Sequence, residues 1–137
     1  MTVIVCVDEQ GGMAFNGRRQ SRDRQLCADV IHTCGHVWMD ESSAGLFADW
    51  QDSIAVSDRF LEEGDCCFAE NRALSGLEID TLILYRWNRR YPADRWLDIR
   101  PDEQGRVLIS SEDFPGSSHE RITREIWRNN HGKTEEP

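Results

Sequence analysis

Residues 1–40 constrain this chain most. Thr2-Val3-Ile4-Val5-Cys6-Val7 is an apolar run that ends at Asp8 and leads into Glu9-Gln10-Gly11-Gly12-Met13-Ala14-Phe15-Asn16-Gly17. A basic polar stretch follows, then a segment with Leu26, Cys27, Val30 and Ile31 at helical spacing, then a second apolar run at Val37-Trp38-Met39. Strand, glycine-bearing loop, helix and strand in that order open an α/β domain. In such a domain a ligand site forms beside the loop, at the carboxyl ends of the strands.

The remaining elements extend the same plan. Gly11-Gly12 ends the first strand, and Asn16-Gly17 is a turn signal. Ser21 is positioned to cap a helix beginning near Arg22, and Gly35 closes that helix. Asp40 to Asp52 reads as a helix or irregular turn with Leu46, Phe47 and Trp50 on its buried side. Ser53–Ser57 and Cys66–Ala69 read as short strands, and Glu70–Leu77 as one or two helical turns. Ile79–Trp87 is the longest apolar run, as expected of a central strand covered on both faces. Arg106–Ser110 and His119–Trp127 read as two closing antiparallel strands. Together these predict a mixed, mainly parallel sheet with helices on its faces, as one domain over 1–128 and a flexible tail over 129–137.

Charge and cysteine content narrow the class of function. The formal net charge is −9, which argues against broad binding to nucleic acid or to an anionic membrane. Arginines nevertheless cluster at Arg18, Arg19, Arg22 and Arg24, and again at Arg86, Arg89, Arg90 and Arg95. Either cluster could face an anion or simply be solvated. The odd number of cysteines, with Cys6, Cys66 and Cys67 in apolar runs, fits buried free thiols in a reducing cytoplasm. No basic segment followed by an apolar stretch precedes the first strand, so a secretory signal is not expected.

The segments taken together resemble a dihydrofolate reductase, particularly the bacterial form. Val7–Gly17 matches the pattern V-D-E-x-x-G-I-G-x-x-G, and Gly35-His36-Val37-Trp38-Met39 matches the second strand. Ser53–Ser57 is similar to the N-I-V-L-S strand, and Asp80–Tyr85 with Tyr91–Trp96 to a later strand and its sequel. The resemblance implies a dihydrofolate-reductase-like three-layer α/β/α sandwich. It also implies NADPH as cofactor and an inherited acid at Asp23, although an ungapped count back from Gly35 reaches Arg24 or Gln25.

The motifs that should hold cofactor and substrate depart from the family. Where the family has G-R-K-T, this chain has Asp40-Glu41-Ser42-Ser43, whose carboxylates would repel a polyphosphate. The glycine pair of V-I-G-G is replaced by Glu70-Asn71, and the cofactor helix and strand shrink to about Asp58–Asp65. The tail-binding arginine falls near Gln51, and the threonine that supports the acid corresponds to Tyr85. No cofactor motif is intact. Gly11, Gly12, Met13, Ala14, Asn16 and Gly17 remain as a possible ligand loop, though its glycines could equally serve only to bend the chain.

Other chemistry finds little support. His32, Cys34 and His36 lie close in sequence, but no second local pair completes a zinc set, so no metal is expected. Ser42, Ser43, His36 and Asp40 have the residue types of a hydrolytic triad without a spacing that fixes its geometry. Asp98, Asp102 and Glu103 read as a solvated loop rather than a carboxylate pair. Two functions stay open. In the first, the chain is a pseudoenzyme without NADPH-dependent activity, a binding or structural module with a protein partner, self-association or a small-molecule ligand. In the second, it is an NAD(P)H-dependent reductase in which Arg18, Arg19, Arg22 and Arg24 replace the lost phosphate ligands.

Overall fold

The computed structural model describes residues 1–129. Its strands are β1 (Thr2–Val7), β2 (Gly12–Phe15), β3 (Arg18–Arg19), β4 (Val37–Met39), β5 (Ile54–Val56), β6 (Cys66–Phe68), β7 (Thr81–Arg86), β8 (Arg95–Trp96), β9 (Arg106–Phe114) and β10 (Ile122–Asn129). The helices are α1 (Arg24–Cys34), α2 (Glu41–Ala44) and α3 (Phe60–Glu63), with a 3₁₀ segment over Gly45–Ser53.

Seven strands form the main sheet in the order β5-β4-β6-β1-β7-β10-β9. β1 runs parallel to both β6 and β7, and β10 is antiparallel to β7 and β9. The sheet is thus mixed and mainly parallel, as expected. Its central strands are apolar throughout because both faces are covered. Val3, Val5 and Val7 of β1 join Phe60, Leu74, Leu82 and Leu84 on one side. Ile4 joins Leu26, Cys27, Val30, Phe68 and Tyr85 on the other. Full burial of Leu26 and Val30 stabilises the α1 contact by about 1.5–3 kcal/mol each.

Several elements differ from expectation. The cap of α1 is Asp23 rather than Ser21; its carboxylate accepts from the Gln25 and Leu26 amides. A carboxylate suits a helix N-terminus better than a hydroxyl because it also meets the helix dipole. Glu70–Leu77 forms no helix: Asn71 and Gly76 have positive φ, and Asp98 takes the Leu74 and Ser75 amides. β9 runs on to Phe114. β10 starts at Ile122 rather than His119 and includes Asn129, which pairs with Arg106, so the tail expected from 129 does not begin there. Residues 130–137 lie outside the described residues.

The glycine-bearing loop is itself a small sheet, β3-β2-β8. Ala14 pairs with Arg19 and Phe15 with Arg18, leaving Asn16 and Gly17 as a two-residue turn with φ of 53° and 72°. That is the primed turn whose twist suits a hairpin. Asp8 ties the hairpin down. Its Oδ1 accepts from the Gln10 and Gly12 amides, and its Oδ2 from the Tyr91 amide and Gln20 Nε2. Gly12 has no room for a side chain, since a Cβ there would lie 2.7 Å from both Ala93 Cβ and Gln20 Nε2. Among the described residues no helix is long and apolar enough to cross a membrane.

Candidate functional site

A crevice of about 1030 Å³ opens beside the β2–β3 hairpin, where the chain leaves the carboxyl ends of β4 and β6. Five arginines line it (Arg18, Arg19, Arg22, Arg72 and Arg95) against two carboxylates, Asp40 and Glu70. In a chain of net charge −9 this is a local reversal of sign.

Both carboxylates are paired, a partnering that the local sequence around Asp40 and Glu70 does not reveal. Arg19 Nε lies 2.9 Å from Glu70 Oε2 and Nη2 lies 3.0 Å from Oε1. Ser43 Oγ donates to Glu70 Oε1 at 2.8 Å, and Arg19 Nη2 also donates to the Ser42 carbonyl at 2.6 Å. Arg72 Nη2 meets Asp40 Oδ2 at 2.8 Å, where Ser42 Oγ donates as well. Burial alone would raise the Asp40 pKa, but Arg72, Ser42 and the Glu41 amide together hold it below the usual carboxylate range. Glu41 itself is exposed. Among the described residues Arg18, Arg22 and Arg95 have no acidic partner, so the positive charge left over belongs to them.

Behind the Arg19–Glu70 pair little space remains. The gap bounded by Cys6, Met13, Ala69, Glu70 and Trp87 holds about 10 Å³, roughly the room of one water. Only Gly17 of the expected ligand loop lines the crevice. Met13 and Ala14 are core residues, Gly11 and Gly12 shape the bend under Asp8, and Asn16 forms the exposed turn. Asn71, with φ of 52°, sits on the rim. Arg24 points elsewhere: it pairs with Asp49 and lies 5.7 Å over the Trp50 ring, beside a second crevice of about 320 Å³.

Asp23 does not line the main crevice; it is buried beside the second one and fully engaged. Besides capping α1 it accepts from the Ser117 and Ser118 amides, both of their hydroxyls, and His119 Nδ1 at 2.9 Å. Burial acts to raise its pKa, but the His119 hydrogen bond and the amides of Ser117, Ser118 and Leu26 outweigh it and hold the group far below the usual range. Gly116 lets this loop press in, because a Cβ there would overlap Asp23 Oδ2 and approach Ile122 Cδ1 to 2.9 Å. The His119 ring stacks on Trp87 at 4.6 Å. Its Nε2 lies 2.8 Å from the Tyr91 hydroxyl and 3.1 Å from Ser21 Oγ.

Nothing local in the sequence pairs His119 with Asp23, 96 positions away. The one available signal is Gly116-Ser117-Ser118-His119, a small polar run just before an apolar strand. The triad considered at Ser42, Ser43, His36 and Asp40 does not assemble. Ser42 and Ser43 bond to separate carboxylates, and His36 packs edge-on to Trp38. Tyr85 is buried and donates to Asp29, which Arg124 also grips at 2.8 Å. Asp98 anchors the Leu74–Ser75 backbone, while Asp102 pairs with Arg100 on the surface. Among the described residues no group of three or more His, Cys, Asp or Glu is placed to hold a metal ion.

No protein-family model matches the chain, and no curated protein matches it in sequence. Among solved structures, dihydrofolate reductase from Enterococcus faecalis, complexed with NADP(H) and RAB-propyl, matches with a TM-score of 0.63 at 10% identity. The match covers 94% of this chain and 95% of that one. At that identity the likeness establishes architecture: the chain has a dihydrofolate-reductase-like fold.

Proposed function

We propose that this protein is a ligand-binding module and not a nicotinamide-dependent reductase, and that its crevice takes a small polyanion. The Arg19–Glu70–Ser43 contact carries the proposal. It fills the space behind the crevice, so an anion can meet the arginines while a planar ring has no room beyond them. NADPH fits these residues poorly. Its nicotinamide would need far more than the roughly 10 Å³ that remains behind the Arg19–Glu70 pair. Asp23 is also ill suited to donate a proton, since its oxygens are engaged by several donors and it is held ionised.

Arg18, Arg22 and Arg95 supply the affinity. A guanidinium binds phosphate or carboxylate through paired hydrogen bonds, each stronger for the charge it carries. The reductase alternative retains one support, that Arg18 and Arg22 line the crevice where substitute phosphate ligands would be needed. Arg19 is committed to Glu70, and Arg24 to Asp49. A cytoplasmic location accompanies the proposal, supported by five free cysteines.

Calorimetric titration with inorganic pyrophosphate is the test. Saturable binding that weakens with added salt and falls by about tenfold or more in Arg18→Gln/Arg22→Gln is expected for the loss of charge-assisted contacts. Heat that does not saturate, or binding indifferent to those arginines, contradicts the assignment.

A further inference from the structure

We propose that Ser21, His119 and Asp23 form an acyl-transfer triad that opens onto the arginine-lined crevice and cleaves carboxylic esters carrying an anionic group. Ser21 Oγ lies 3.1 Å from His119 Nε2, and His119 Nδ1 lies 2.9 Å from Asp23 Oδ2. These are the contacts that link nucleophile, base and orienting carboxylate in hydrolases of unrelated fold. Asp23 acts as the positioning residue. With its carboxylate accepting from Nδ1–H, the neutral ring presents the Nε2 lone pair toward Ser21. The Trp87 face and the Ser117–Ser118 backbone keep the imidazole and carboxylate from turning. Ser21 itself is partly exposed and lines the same crevice as Arg18 and Arg22.

The chemistry balances without a cofactor. As Ser21 Oγ bonds the ester carbonyl carbon, its proton passes to His119 Nε2. The C–O bond to the leaving alcohol then breaks, and His119 returns that proton to the departing oxygen. Water next gives a proton to His119 and bonds the acyl carbon, the Ser21–acyl bond breaks, and the proton returns to Ser21 Oγ. Ester and water become acid and alcohol. The Tyr91 hydroxyl, 2.8 Å from Nε2 and 3.3 Å from Ser21 Oγ, is a second hydroxyl within reach of the base. The preference for anionic esters rests on the polyanion role proposed above; the nucleophilic step does not.

A neutral fluorophosphonate probe tests the step on the full chain, read by intact mass and peptide mapping. One adduct on Ser21 is expected, absent in Ser21→Ala and formed ~10²–10⁴-fold more slowly in His119→Gln, the usual worth of a positioned base. Ser21→Ala leaves the Asp23–His119 contact in place, and its circular dichroism verifies that it folds. Tyr91→Phe keeps the label on Ser21. Absence of an adduct in the folded protein, an adduct that persists in Ser21→Ala, or a label that moves with Tyr91 overturns the triad. Turnover of p-nitrophenyl hydrogen succinate against p-nitrophenyl butyrate tests the substrate class. A kcat/KM preference of about tenfold or more for the anionic ester, lost in Arg18→Gln/Arg22→Gln, is expected from charge-assisted contacts. Equal turnover of the two esters refutes the anionic class while leaving Ser21 as the nucleophile.

Discussion

Arg19 grips Glu70 as a fork, with Nε and Nη2 at 2.9 and 3.0 Å from the two carboxylate oxygens. The pair joins the β2–β3 hairpin to the segment after β6, 51 positions apart. It neutralises an acid that would repel anions, and it fills the volume behind the crevice. The Glu70 side chain is 15% exposed and Arg19 is 30% exposed, so the pair is neither a surface bridge nor a fully buried one. Arg19→Gln is expected to destabilise the protein by about 1–3 kcal/mol, between the values for those two cases. In a urea double-mutant cycle Arg19→Gln/Glu70→Gln should recover part of that loss. Simple additivity of the two single changes would mean that the pair is not coupled.

Acid should destabilise the fold through Asp23. Its folded pKa is lowered relative to the unfolded chain, so its contribution is fully present above about 3.9, the unfolded value, and is lost as pH falls toward the folded one. Asp40, Asp98 and Asp113 are shifted in the same direction. Asp23→Asn keeps a capping oxygen but removes the charge. It is expected to cost about 2–4 kcal/mol at pH 7, from weakened charge-assisted hydrogen bonds and a weaker interaction with the helix dipole. The difference in urea midpoint between this variant and the native protein should narrow below about pH 4. A gap that stays constant with pH would show that the carboxylate's charge is not what stabilises the loop.

Much of this architecture was legible from residue pattern alone, and the site was not. The apolar runs at Val3–Val7 and Leu82–Tyr85 place the two central strands, and Asn16-Gly17 places the turn, because each signal is local. The partners of Asp40 and Glu70 come from Arg72 and Arg19, which are 32 and 51 positions away. A sequence read locally leaves those acids unpaired. Asp23 illustrates the same limit. Its position before α1 is visible, but its engagement by Ser117, Ser118 and His119 depends on a loop that joins it only in the folded sheet. β3 and β8 have two residues each, too short to show any periodicity.

Two glycines should respond in opposite ways to alanine. At Gly12 a Cβ meets Ala93 Cβ and Gln20 Nε2 at 2.7 Å, so Gly12→Ala is expected to cost about 1–3 kcal/mol through overpacking. At Gly45 nothing lies within 4 Å and the backbone is helical, with φ of −61°. Gly45→Ala should stabilise by about 0.4–1 kcal/mol, by restricting the unfolded chain. Thermal melts of both variants check the contrast, and equal effects would contradict the packing described at Gly12.

Thiol chemistry should separate folded from unfolded protein. Burial raises the Cys27 pKa to about 12 and the Cys67 pKa to about 11, which keeps both protonated and slow to react at neutral pH. Titration with a disulfide-exchange reagent after unfolding, without reductant, should find all five groups. One or none would contradict the reducing location.

Single-turnover oxidation of NADPH by dihydrofolate, with protein in excess over both, is the most direct test of a crevice open to anions and closed to hydride transfer. The proposed function predicts a rate indistinguishable from the protein-free reaction, even at protein concentrations where added pyrophosphate is bound. Oxidation that rises in proportion to protein and disappears in Arg18→Gln/Arg22→Gln would contradict it, and would mean that the Arg19–Glu70 pair opens to admit the nicotinamide.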